Sequence, residues 1–148
     1  MIEDNKGKKI LIFLDTKRDV RKLEQKGILA LHGDLSQSQR NYSLQRFKTR
    51  SDVVLAATDV AARGLDVSDI DIVIQGSYQK GNIDSILHRL GRTGRAGKKG
   101  LNILIGMASD IQFFKKMESS LKIDFNIKTS ASSTVQEPVA DIPRLLAT

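Results

Sequence analysis

The chain has 148 residues, with 24 Lys and Arg against 17 Asp and Glu, for a formal net charge of +7. At 40% hydrophobic and 28% charged it has the composition of one folded domain, not of a disordered segment. It has no cysteine and only two histidines, His32 and His88, which excludes disulfide frameworks, thiol catalysis and Cys- or His-rich metal centres.

Lys9 to Leu14 reads as a strand buried on both faces, and its apolar run is too short to span a bilayer. Met1 to Lys6 has no apolar signal core, so an intracellular protein without membrane contact is expected; the compartment is left open between nucleus, nucleolus and cytoplasm. Lys17 to Lys26, with Val20 and Leu23 three apart, predicts a short helix stopped by Gly27. Ile28 to Leu31 predicts a second strand and His32-Gly33-Asp34 a turn. Ser36 with Gln39 forms a capping-box start for a helix to about Lys48, with Leu44 and Phe47 on its apolar face. Val53 to Ala57 and Ile70 to Ile74 predict two more strands. Ile83 to Leu90 predicts a helix with Ile83, Ile86, Leu87 and Leu90 as its stripe, Leu101 to Ile105 a fifth strand, and Ala108 to Leu121 a closing helix. Alternating strands and helices imply an α/β fold, a mainly parallel sheet flanked by helices on both faces. Residues 1–128 are expected to be the domain and residues 129–148, rich in Ser, Thr and Ala and holding both prolines, a tail or linker.

Three segments carry chemistry, and two of them follow predicted strands, where ligands gather in such sheets. In His88 to Gly100, Arg89, Arg92, Arg95, Lys98 and Lys99 put five positive charges into eleven residues without an acid. Arginines three apart among Gly91, Gly94 and Gly97 can converge on one phosphate, since a guanidinium donates in pairs and glycine permits close approach. A solvated basic loop is the alternative. Ala57 to Asp66 is a run of small residues ending in Asp66, a carboxylate suited to a ribose hydroxyl; a plain turn with a surface Arg–Asp pair competes. His32-Gly33-Asp34 with Gln37 and Arg40 places a cation in a helix first turn, where free N–H groups also favour phosphate, against the alternative of a capped surface helix. Asp66, Asp69 and Asp71 read as solvated loop carboxylates, not a metal site. No Walker A phosphate loop is present in the 148 residues, so the arginines belong to half of a site.

Together and in this order, Leu11-Ile12-Phe13 with Asp15-Thr16, His32 to Arg40, Thr58 to Asp66 and His88 to Arg95 resemble the second RecA-like domain of DEAD-box RNA helicases, over most of residues 8 to 121. Val73-Ile74-Gln75 and the Ser/Thr-rich tail are similar to the nucleolar Gu-type branch. The resemblance implies a three-layer RecA-like domain and an ATP-dependent RNA helicase. Arg92 and Arg95 would act as arginine fingers on ATP, and Gly64 and Asp66 would hold the ribose. Thr16, Gly33, Arg40 and Thr58 would line the RNA path. Gln37, Arg63, His88 and Arg89 would couple nucleotide and RNA sites across the cleft to the N-terminal RecA-like domain, which would hold Mg2+. The partners implied are RNA and that first domain, in a monomer. The Walker A lysine and the Asp-Glu-Ala-Asp box are family features of the first domain and are not among these residues, so this segment alone is expected to be inactive as an ATPase.

Three departures from the family pattern stand out. The helix between Thr16 and His32 is shorter by about two turns, which predicts a thinly covered sheet face. Gln75-Gly76-Ser77-Tyr78-Gln79-Lys80 replaces an Asn-Tyr-Asp-x-Pro-like stretch, and Ile86 stands where an aromatic is usual. A stand-alone RNA- or partner-binding module is the competing function, and a DNA translocase of the same superfamily a third.

Overall fold

A computed structural model of the chain describes residues 7–63, 70–93, 100–122 and 126. In chain order the elements are β1 (Ile10–Phe13), α1 (Lys17–Glu24), β2 (Leu29–Leu31), α2 (Gln37–Thr49), β3 (Val54–Ala57), α3 (Asp59–Ala62), β4 (Ile72–Gln75), α4 (Ile83–Leu90), β5 (Leu101–Leu104), a 3-10 turn (Ala108–Asp110) and α5 (Ile111–Leu121). The strands form one parallel sheet in the order β2-β3-β1-β4-β5, with β1 paired to β3 and β4 on its two sides.

Local signals set most of the boundaries. Ser36 accepts from the Gln39 amide while the Gln39 side chain accepts from the Ser36 amide, so both arms of the capping box start α2. Thr16 caps α1, and Gly27 turns the chain into β2 at φ +85°, a left-handed conformation that favours glycine. Asn82 caps α4 by accepting from the Ser85 amide. The expected closing helix divides, a 3-10 turn at Ala108–Asp110 running into α5. The fourth strand is shifted from the expected Ile70–Ile74: Ile70 forms an isolated bridge with Thr93, and the strand runs through Gln75.

One face of the sheet packs Leu11, Phe13, Leu31, Leu55, Ala57 and Val73 against Leu44 and Phe47 of α2 and Ala61 and Ala62 of α3. Leu104, in register with Gln75 and hence with Phe13 of that face, joins Ile86 and Leu90 of α4 and Phe113, Met117 and Leu121 of α5. The opposite face carries Ile10, Ile12, Ala30, Ala56, Ile72, Ile74 and Ile103, and among the described helices only the eight-residue α1 lies over it, through Val20 and Leu23. Helices therefore flank both faces, and the shortened α1 leaves the second face with the lighter helical cover among described residues. Ile86, the departure from an aromatic, is fully buried beside Leu90 and Met117.

Candidate functional site

The carboxyl ends of β1, β3 and β4 meet at one side chain. Arg89, in the last turn of α4, is 3% exposed and lies 5.2 Å over the Phe13 ring. Its Nε donates to Asp59 Oδ1 at 2.8 Å and its Nη2 to Asp59 Oδ2 at 2.7 Å, a bidentate pair. Nη2 also donates to Asp15 Oδ1 at 3.0 Å, and Nη1 donates to the Ser77 carbonyl at 2.6 Å and to Gln75 Oε1 at 3.4 Å. A guanidinium has five N–H groups, and these contacts engage all of its nitrogens. Burial lowers the basicity of Arg89, but the bonds and charges of Asp59 and Asp15 outweigh it, so the group is more basic than an ordinary arginine. Burial raises the Asp59 carboxyl, and Arg89 with the Ser85 hydroxyl overcomes that, holding it below the usual carboxylate range. Ser77 completes the knot by accepting from the Asp15 amide at 2.7 Å.

Beside this hub a cleft of about 490 Å3 opens between α3 and α4, lined among others by Asp59, Arg63, Asp84, His88 and Arg92, with Arg89 also on its wall. Arg63 and His88 are exposed and Arg92 half-buried. Arg92 follows the Gly91 cap of α4 and precedes Thr93, a buried residue whose hydroxyl donates to the Ile70 carbonyl and, at 3.3 Å, to that of Asp71. The backbone carrying Arg92 is thus anchored on both sides. Three cationic or protonatable groups on one cleft can receive a phosphate, and Asp59 and Asp84 supply the acceptors that keep it from being uniformly positive.

The other sequence-predicted residues lie on the neighbouring loops. Thr16 is exposed at the start of α1; its hydroxyl accepts from the Asp19 amide at 3.2 Å and donates to Asp19 Oδ2 at 2.9 Å. Thr58 is half-buried at the start of α3 and makes no side-chain cap bond. Gly33 is exposed, and a methyl added there would meet nothing within 4 Å, so packing inside the domain does not demand glycine. Arg40 donates from Nη2 to the Ala61 carbonyl at 3.0 Å, which ties α2 to the end of α3. Gln37 is exposed and donates to Asn41 Oδ1 at 2.9 Å. The turn holding Gly33 is fixed by Asp34, paired with Lys17 at 3.1 Å and with Arg21, and by buried His32, whose Nε2 lies 3.2 Å from Glu24 Oε2. Gly64, Asp66 and Arg95 lie outside the described residues. Arg89 touches the cleft wall, yet its donors are used within its own domain. Asp15, Asp59, Gln75 and Ser77 were missed from sequence; the available signal was a carboxylate just beyond the apolar run of each of two central strands. No group of three or more His, Cys, Asp or Glu suited to a metal exists among the described residues.

Residues 1–97 match the family model of the helicase conserved C-terminal domain. The chain belongs to that family. This helicase C-terminal domain is 43% identical, over 129 residues, to DEAD-box ATP-dependent RNA helicase 9, mitochondrial, of Arabidopsis thaliana, covering 84% of the chain and 21% of that relative. Its fold matches the yeast DEAD-box splicing factor Prp28 with a TM-score of 0.68 and 32% identity, covering 82% of this chain and 28% of that one. It also matches Mss116p DEAD-box helicase domain 2 bound to an RNA duplex, with a TM-score of 0.63 and 32% identity, over 80% and 49% of the two chains. The chain thus spans about a fifth of the Arabidopsis relative, and the parallel sheet is that of the RecA-like C-terminal domain of DEAD-box proteins. Among the described residues no helix is long and apolar enough to cross a membrane.

Proposed function

We propose that this domain is the second RecA-like half of an ATP-dependent RNA helicase, with residues 1–128 as the working unit and 129–148 as a tail. Arg92 and Arg95 act on the γ-phosphate of ATP, Gly64 and Asp66 hold the ribose, and Thr16, Gly33, Arg40 and Thr58 face the RNA backbone. Gln37, Arg63 and His88 couple the two sites across the cleft to a first RecA-like domain, which holds Mg2+. The single observation that carries this reading is the cleft at the strands' carboxyl ends, where Arg63, His88 and Arg92 line one wall system together. The two RNA-facing threonines begin the helices that follow β1 and β3, at the same carboxyl end of the sheet as the cleft. An arginine finger supplies roughly 10³–10⁵ in rate in phosphoryl transfer. The Gu-type nucleolar branch is kept as the finer assignment, resting on Val73-Ile74-Gln75 and the tail.

Steady-state ATPase activity, with and without single-stranded RNA, tests the reading in a protein that carries this domain behind a first RecA-like domain. RNA-stimulated turnover should fall by at least roughly 10³-fold on Arg92→Ala, on the scale of an arginine finger. The 148-residue chain alone should turn over no ATP. Salt-sensitive RNA binding without turnover in the two-domain protein would replace the helicase with a binding module.

A further inference from the structure

Arg89 costs the domain the desolvation of a guanidinium, and a well-packed apolar side chain of similar volume is often as stable or more so at such a place. What an apolar side chain lacks is a planar fork that holds several loops in one geometry. The loops held here are those after β1, β3 and β4, through Asp15, Asp59 and the Ser77 carbonyl. Asp15 precedes Thr16 and Asp59 follows Thr58, so each carboxylate is one peptide from a threonine assigned to RNA. The strands before them, β1 and β3, are paired up to Phe13 and Ala57, and the Leu14 amide donates to the Ala57 carbonyl at 3.0 Å; beyond that point the helices that the threonines start, α1 and α3, belong to clusters on opposite faces of the sheet. Strand pairing brings the two loops to one end of the sheet, and past the last paired residues the side chain that joins them is Arg89, through Asp15 and Asp59.

We propose that Arg89, with Asp15 and Asp59, is a positioning device for RNA: it sets Thr16 and Thr58 at the mutual spacing that a ribose-phosphate backbone requires, without touching RNA itself. The proposal rests on the RNA reading of those threonines. It also gives Arg89 a different place from a residue reaching across the cleft, since its donors are engaged at home.

The test is fluorescence anisotropy of the 148-residue chain on a short RNA duplex across a salt series. The triple variant Arg89→Met/Asp15→Asn/Asp59→Asn removes the fork and both carboxylates, so no charge is left buried without a partner. It changes net charge by −1 for the arginine and +1 for each aspartate, so the protein becomes one unit more positive and general electrostatics alone would tighten binding. We expect Kd to rise roughly tenfold, with the slope of log Kd against log salt unchanged because no phosphate contact is lost. Adding Thr16→Val/Thr58→Val should weaken the wild type by a similar factor and the triple variant by less than about twofold, since the two changes act through one geometry. A merely structural arginine would move the melting temperature and leave that cycle additive. A Kd within twofold of wild type overturns the proposal, and so does a slope reduced by about one, which would mean that Arg89 meets a phosphate directly. Should the triple variant not fold, Asp15→Asn decides alone: about threefold weaker binding supports the proposal and unchanged binding overturns it. A wild-type chain that binds no duplex removes the RNA reading and this inference with it.

Discussion

The charges around Arg89 make an unusual prediction about additivity. Its guanidinium is 3% exposed, whereas the side chains of Asp15 and Asp59 are 25% and 45% exposed. One buried cation is therefore served by two partly hydrated anions, and either anion alone can neutralise it. Asp59→Asn keeps an acceptor toward Arg89 but loses the charge, which should cost about 1.5 kcal/mol, the scale of one hydrogen bond to a charged group. Asp15→Asn, with a single bond, should cost about 1 kcal/mol on the same scale. The double variant leaves the cation with no counter-charge, and a buried ion stripped of its partner costs about 3–5 kcal/mol. The pair should thus exceed the sum of the singles by about 0.5–2.5 kcal/mol. Urea unfolding measures it from the midpoints, provided that the denaturant slope is shared by all four proteins. Additivity within about 0.5 kcal/mol, or a single variant costing as much as the double, would refute the reasoning.

Other changes have simpler consequences. Phe47 is fully buried, with Lys9 Nζ 5.5 Å from its ring centroid, so Phe47→Ala should destabilise by about 3–5 kcal/mol in the same urea titration. Ser36→Ala removes one arm of the α2 capping box and should cost about 1 kcal/mol, a loss that Ser36→Asp should largely avoid. Asp34 is held below the ordinary carboxylate range by its hydrogen bond from Lys17, and Asp59 by Arg89 and Ser85 against the opposing effect of burial. Groups lowered by folding stabilise above their unfolded value of about 3.9 and lose that contribution as pH falls through the folded value. The urea midpoint should therefore be insensitive to these groups between about pH 7 and 5 and fall below about pH 4, less steeply in Asp59→Asn. Gly106→Ala would place a methyl 2.7 Å from the Tyr78 hydroxyl and 2.9 Å from the Phe114 ring, so its melting temperature should drop through forced repacking of that aromatic cluster.

The departures from the family pattern acquire physical content in the fold. Gln75 ends a strand whose other residues are aliphatic, and it is fully buried because its amide donates to the Ile86 carbonyl at 3.1 Å and its oxygen receives Arg89. Gly76 and Ser77 follow without an intervening side chain of any size, and a methyl at Gly76 would lie 2.8 Å from Leu14 Cδ2. The replaced stretch is thus shaped by close packing on β1 and by service to Arg89. Tyr78 then joins Phe113 and Phe114, where burial and the Asp110 charge push its hydroxyl up to about 12.

Elements with a period or a cap were legible in the chain. The bounds of α4 follow from its apolar stripe, and the start of α2 from Ser36 and Gln39; both signals are local, because they involve neighbours within one or two turns. The four residues of α3 have no period to read, so no helix is predicted over Asp59–Ala62. Ile83, placed on the buried stripe by periodicity, is 37% exposed because it sits at the first turn, beyond the helix contacts that bury Ile86 and Leu90.

By itself the sequence determined the alternation of strands and helices, a small-residue segment after a strand, and a basic segment at a helix end. All of these are properties of residue type and short spacing. Only the tertiary structure decided which of the basic residues serve the cleft and which serve the fold. Arg89 and Arg92 look alike in the chain, one helical turn apart, yet one is buried in the hub and the other half-buried at the cleft. The difference is made by acceptors 74 and 30 residues away, Asp15 and Asp59, which parallel pairing carries to the same end of the sheet. A guanidinium goes where its charge is matched, and that match exists only once the strands are side by side.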